Sequence, residues 1–345
     1  MFYQATHRPT KQHDYLHLLL LLLTLFGIRS RIKWLRLLKC PILCSFFIVL
    51  PTIVEIMTRP ARTPSKHTRQ SPPVLRVRTR DNNFQRAEVI KTNRPKRTRY
   101  GQLLVEGVAQ INLAVKYGWS IAAFLYPAGR KLSRWANDLL AKNVAQAHWE
   151  LAPNLLEELS DKDETSEIMA IIEARALAPS VIPPKANGLV VVFDRPCSPG
   201  NLGSSIRSAD AFGADGIIIT GHAADIYDPH VVRGSMGALF TLPVTTAPSH
   251  NEVKAWVEQA RAAGFHYQII GSSGKAEHLT FDVDMSKPTV VVLGNETVGM
   301  SQGYWEICDS VVKIPIAGAL SSINVSCAAS ILLYEVARQR GRSGV

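Results

Sequence analysis

A chain of 345 residues, 46% of them hydrophobic, is long enough for two globular domains and too apolar to be wholly disordered. Its formal charge of +11 is carried by one end, since residues 1–100 hold 20 Lys/Arg against 4 Asp/Glu and the remainder 19 against 24. Five cysteines without a paired zinc spacing (Cys40, Cys44, Cys197, Cys308 and Cys327) argue against a structural metal site and fit a reduced, cytoplasmic protein.

Two apolar runs come first, "LHLLLLLLTLFGI" (16–28) and "PILCSFFIVLPTIV" (41–54). Neither reaches the roughly 20 residues that span a bilayer, and Pro51 interrupts the second, so no membrane partner is favoured. Residues 1–57 are read as an apolar and basic extension outside the functional protein, with Met57 as its start. From Thr58 to Arg99 the tally is 13 basic residues to 2 acidic, with five prolines. Residues 58–97 are therefore expected to be a disordered basic arm, either a solubilising linker or an attractor for a phosphate backbone.

Residues 98–176 alternate between short apolar runs and amphipathic patterns: a helix over 106–117, a strand over 121–126, a helix in "LSRWANDLLAKNV", a strand near 147–150, a helix near 154–159 and an apolar run, "EIMAIIEA". That is the pattern of a small α/β domain. Three prolines in "LAPSVIPPKANG" make 177–187 a linker. From residue 188 to the end, "LVVVF", "GIIIT", "LPVTT", "YQIIG", "TVVVL" and "SVVKIPI" alternate with helical patterns. Strands that are apolar on both faces belong to a parallel sheet covered by helices, so this half is α/β as well. The last helix, 324–340, has one broad apolar face that includes position 328 and its neighbours, and Cys327 is expected in the core.

Three segments in the second half follow apolar strands, where ligands of open α/β sheets usually sit. In "DRPCSPGNLGSSIR" (194–207), Pro199 and Gly200 make a turn, Asn201 can cap a helix, and Arg207 follows one to two turns later. The spacing fits neither a dinucleotide nor a triphosphate loop, and "GSSGK" (271–275) fails the same test. "GNETVGMS" (294–301) offers Gly294 for close backbone approach and Asn295 and Glu296 as polar groups. "IPIAGALSSINVS" (314–326) leads through Ser321 and Ser322 to Asn324, where a helix cap is the plainer reading of each residue alone.

Taken together, these segments closely resemble the three motifs of the SpoU (TrmH-type) RNA 2'-O-ribose methyltransferases of the SPOUT superfamily, over residues 189–340. A weaker resemblance in 98–175 is to the substrate-binding domain of that family. The resemblance implies a trefoil-knotted C-terminal parallel-sheet domain that binds S-adenosylmethionine and forms a homodimer. It places Leu293, Gly294, Asn295, Ile314, Ile316, Ser322, Ile323 and Asn324 around the cofactor, Arg207, Asn201, Glu296, Ser322 and Asn324 in catalysis, and Arg207 and Arg233 on RNA. Thr297 stands where the motif commonly has glycine, and Ile323 replaces a leucine. Ribosomal RNA is favoured over transfer RNA by the separate N-terminal domain. A transfer-RNA methyltransferase and a non-catalytic RNA-binding or ribosome-assembly protein of the same fold are the alternatives.

Overall fold

The computed structural model describes residues 71–341, which lie in one compact unit. The expectations for residues 1–57, and for the start of the basic arm, fall outside the described residues. The first lobe is a five-stranded sheet in the order β1 (Val74–Val77), β4 (Ala145–Leu151), β3 (Ile121–Pro127), β5 (Met169–Glu173), β2 (Gln102–Glu106). β5 runs antiparallel to both β2 and β3, and β4 runs parallel to β1 and β3. The period-two rule assigns alternate residues to opposite faces. Leu103 and Val105 of β2 and Phe124 of β3 therefore face α3 (Val108–Lys116) and α4 (Arg134–Ala141). Leu104 and Leu125 face α1 (Asn82–Thr92) and α5 (Pro153–Leu159).

Helix α1 corrects the expected disordered arm. Residues 74–77 form an edge strand, and the chain then enters α1 and α2 (Arg94–Tyr100). Asp81 caps α1 by accepting hydrogen bonds from the backbone N–H groups of Asn83 and Phe84. Phe84, Ala87 and Ile90 are buried on one side of it. Those three apolar positions, about one helical turn apart, bury enough surface to dock the segment, at roughly 1.5–3 kcal/mol for each large side chain. Exposed Arg76, Arg78, Arg80, Arg94 and Arg99 in the flanking sequence mask the period.

The second lobe is a seven-stranded, wholly parallel sheet in the order β10, β12, β9, β11, β6, β7, β8. Its members are β6 (Leu189–Asp194), β7 (Gly216–Thr220), β8 (Val244–Ala247), β9 (Gln268–Ser272), β10 (His278–Leu279), β11 (Thr289–Leu293) and β12 (Ser310–Lys313). β6, β7 and β11 are buried along their whole length. One face is covered by α6 (Pro199–Ala211), α7 (Pro229–Gly234), α8 (Ala238–Thr241) and α11 (Val325–Gln339), the other by α9 (His250–Ala262) and α10 (Gln302–Ile307). The two-residue β10 is too short to give a sequence signal, and β12 stops before Ile314 rather than continuing to Ile316. Cys327 is exposed, contrary to expectation, while Ala329, Leu332, Leu333 and Val336 form the buried face of α11.

The lobes share one hydrophobic cluster that runs from Leu103 to Val336. Arg97 of α2 is 3% exposed. Its Nε pairs with Asp225 at 2.7 Å, its Nη2 lies 3.6 Å from Asp228, and its Nη1 donates to the carbonyls of Ile90 and Lys91. Trp119 Nε1 donates to the Phe240 carbonyl across the same seam. The linker is packed as well, because Ile182 is fully buried.

Candidate active site

The large sheet turns about β6. The chain builds β7 and β8 on one side of it, and β11, β9 and β12 on the other. The crevice at such a reversal is the expected ligand site of an open parallel sheet, and the loops after β6 and β11 meet there. Asp194, at the end of β6, is buried. It accepts a 2.7 Å hydrogen bond from Ser301 N and is paired with Arg195, whose Nη2 also donates to the Gly299 carbonyl. Asn295 Nδ2 donates to the Arg195 carbonyl, while its Oδ1 accepts from Thr297 N and Val298 N. The loop closes on itself through paired backbone hydrogen bonds between Asn295 and Gly299. A Cβ on Gly294 would lie 2.3 Å from Met300 N. Loop closure therefore already requires glycine at this position, independently of any ligand contact.

Glu296 spans from this loop to the start of α6. One carboxylate oxygen accepts from Cys197 N and Cys197 Sγ, the other from Ser198 N at 2.9 Å and Asn201 Nδ2 at 3.3 Å. The glutamate thus supplies acceptors to orphan donors at the head of α6, where a negative charge is also favoured by the helix dipole. Burial raises the Glu296 carboxyl, but the hydrogen bonds from Cys197 and Ser198 outweigh it and hold the group below its ordinary range. The Cys197 thiol is raised, first through its hydrogen bond to Glu296.

Asn201 carries the connection onward. Its Oδ1 accepts from Asn324 Nδ2 at 2.9 Å, and Asn324 Oδ1 in turn caps α11 by accepting from Ser326 N and Ser326 Oγ. Three segments separated by 95 and 123 residues are thereby joined in one hydrogen-bonded run.

Beside this run lies an open cleft of about 510 Å³, within the usual range for small-molecule sites. Leu293, Ile314, Ile316, Ile323 and Trp305 give it an apolar wall. Gly294, Asn295, Glu296 and Ser322 also line it. Neither Asn201 nor Asn324, expected in the site, lines the cleft; the pair is tied to it through Glu296. Arg207 is exposed on α6 and has no ion pair or hydrogen bond among the described residues. The structure records no contact between it and Asn201. Arg233, exposed at the end of α7, donates to the Asp161 carbonyl and contacts His230 Nδ1. A Cβ on Gly203 would lie 2.7 Å from the Val231 carbonyl, so the backbones of α6 and α7 touch and fix the two arginine-bearing helices against each other.

Ser272, Ser273, Gly274 and Lys275 also line the cleft. They form the "GSSGK" segment set aside for lacking a phosphate-loop pattern. Their placement after the apolar strand β9 was the available signal. Among the described residues no group of His, Cys, Asp and Glu could hold a metal ion, and no helix is long and apolar enough to cross a membrane.

Residues 188–334 match the family model of the SpoU rRNA Methylase family, and residues 81–170 that of the SpoU L30e-like domain. The chain is 46% identical over 272 residues, 79% of its length and 94% of the relative's, to the 23S rRNA (uridine(2479)-2'-O)-methyltransferase of Streptomyces viridochromogenes. It is 34% identical over 152 residues, 44% of its length and 59% of the relative's, to the 23S rRNA (guanosine-2'-O-)-methyltransferase RlmB of Pseudomonas putida. The crystal structure of the SpoU methyltransferase AviRb from Streptomyces viridochromogenes in complex with the cofactor AdoMet superposes with a TM-score of 0.73 at 46% identity, covering 77% of this chain and all of that one.

Proposed function

The chain belongs to the SpoU rRNA methylase family, and on that footing we propose that it transfers a methyl group from S-adenosylmethionine to a ribose 2'-hydroxyl of ribosomal RNA. The observation that carries this reading is the run Glu296–Asn201–Asn324, which joins the three family motifs at the mouth of the cleft. The relative that matches over most of both chains acts on a uridine of 23S rRNA, so a large-subunit uridine is the target we favour.

The cleft fits the cofactor in volume, and its lining combines apolar residues with polar ones. Leu293, Ile314, Ile316 and Ile323 would hold the adenosine, with Gly294, Asn295 and Ser322 offering main-chain groups. When bound, S-adenosylmethionine supplies an electrophilic methyl group on a sulfonium. The protein's own task is to orient the ribose hydroxyl and to manage the charge that develops on it. A guanidinium presents five N–H donors and no acceptor, so Arg207 is not a simple base. It binds the neighbouring phosphate and stabilises the developing alkoxide, while the hydroxyl proton leaves through phosphate or water. Arg233, on the helix packed against α6, takes a second phosphate. Asn201 and Asn324 keep the head of α6 in register with the cleft.

The lobe before residue 177 serves RNA binding in this reading, supported by its exposed Arg94, Lys96 and Arg99. A homodimer is supported by Ile331 and Tyr334, exposed at 41% and 57% on the outer side of α11. Sedimentation should give twice the chain mass, and Tyr334→Glu should give monomers. The knot belongs to the same reading: β12 lies beyond β9 and β11, yet the chain returns from it to α11 beside α6. A cytoplasmic location follows from a ribosomal substrate. Incubation with labelled S-adenosylmethionine and unmodified 23S rRNA should place one 2'-O-methyl group on a uridine. Cofactor binding without methyl transfer to ribosomal RNA would overturn the assignment.

A further inference from the structure

Among the described residues that line the cleft, two carry a formal charge, Lys275 and Glu296. The two are in opposite conditions. Both carboxylate oxygens of Glu296 are engaged by donors from the head of α6, whereas the Lys275 ammonium has no partner among the described residues. The base of the lysine is nevertheless fixed. Its backbone N–H donates to Ser273 Oγ, and the next residue, Ala276, is buried. At the other end of the segment a Cβ on Gly271 would strike Met300 and Cys308, so β9 is closely packed where the loop begins. A Cβ on Gly274 would lie 3.4 Å from the Ser321 carbonyl, which places this loop against the 321–323 wall of the cleft.

We infer that Lys275 binds the α-carboxylate of the methyl donor's amino-acid end. The inference rests on the cofactor assignment above. The donor carries one anionic group and two cationic ones, the α-ammonium and the sulfonium. A cleft whose one glutamate is already committed to a helix start leaves that anion a single cationic partner, Lys275. A flexible, hydrated ammonium suits a mobile carboxylate at the open end of a site, where a rigid fork is not needed.

The test compares S-adenosylmethionine with decarboxylated S-adenosylmethionine, which keeps the ammonium and the sulfonium, by calorimetric binding to the full chain. The wild type should favour the carboxylated form by about two- to fivefold, the value of a solvent-accessible ion pair. Lys275→Met should remove that preference while leaving the affinity for the decarboxylated form unchanged. Lys275→Arg should retain the preference, and Lys275→Glu should reverse it. A preference that survives Lys275→Met, or an equal loss for both ligands, overturns the inference and leaves the methyltransferase reading intact. Failure of the wild type to bind either ligand overturns the cofactor assignment and this inference with it.

Discussion

The seam between the lobes and the outer side of α6 and α7 both carry arginines, and those arginines are in opposite conditions. At the seam, Arg97 is buried and every one of its nitrogens has a partner, either Asp225, Asp228 or a carbonyl of α1. On α6 and α7, Arg207 is exposed with no ion pair among the described residues, and Arg233 is exposed with hydrogen bonds there only to the Asp161 carbonyl and His230. A buried guanidinium surrounded by acceptors is a structural clamp, because removing it leaves two partly covered carboxylates, 14% and 26% exposed, without their counter-ion. An exposed one without an acid partner keeps its fork for a phosphate. Arg97 holds the protein together, whereas Arg207 and Arg233 present solvent-facing guanidiniums, as the RNA contacts proposed above require.

The largest effect should come from breaking the clamp. Arg97→Met should lower unfolding stability by about 3–5 kcal/mol in urea titrations, and a near-neutral result would erase the distinction. Arg207→Ala should do the reverse. Turnover on ribosomal RNA should fall by about a hundred- to a thousandfold, with the unfolding midpoint unmoved. Arg207→Lys asks whether charge alone suffices, and near-normal turnover would rule out a need for the planar fork.

Glu296 sits between the two extremes, and Glu296→Gln should cost about 1 kcal/mol, the scale of a helix cap. The pH dependence follows from its depressed carboxyl. The stabilisation is fully present above the ordinary glutamate value of about 4.3 and is lost as the pH falls through the lower folded-state value. The stability curves of wild type and Glu296→Gln should therefore converge in acid and run parallel at neutral pH. Smallest of all, Arg233→Ala should leave stability within about 0.5 kcal/mol and reduce the salt dependence of RNA binding by about one phosphate contact.

The seven-stranded sheet was largely legible, because strands such as "LVVVF" and "TVVVL" are apolar on both faces and have one natural environment. The site was legible through its motifs, whose polar residues follow those strands at spacings that the packed sheet brings together. What stayed hidden was the environment of individual side chains. Arg97 and Arg99 look alike in a basic run, yet one faces the seam and the other solvent. A count of charges cannot see Phe84, Ala87 and Ile90 docking the helix that carries them. The segment around Lys275 matches no phosphate-loop pattern, and its place in the cleft depends on how β9 packs beside β11. At Gly294, loop closure against Met300 demands glycine whether or not a ligand approaches the backbone there, and the sequence does not show that demand.

The pairing of β6 with β11 has a consequence for how the chain is made. Leu189 pairs with Thr289, 100 residues later, while β6 meets β7 on its other side almost at once. At synthesis rates of about 5–20 residues per second, one edge of the most apolar strand waits roughly 5–20 s for its neighbour. Non-local parallel pairing of this kind is slow to form and prone to aggregation until complete. Chains that stall before residue 289 should therefore be the species that chaperones capture, with the finished sheet escaping them only after its central strand arrives.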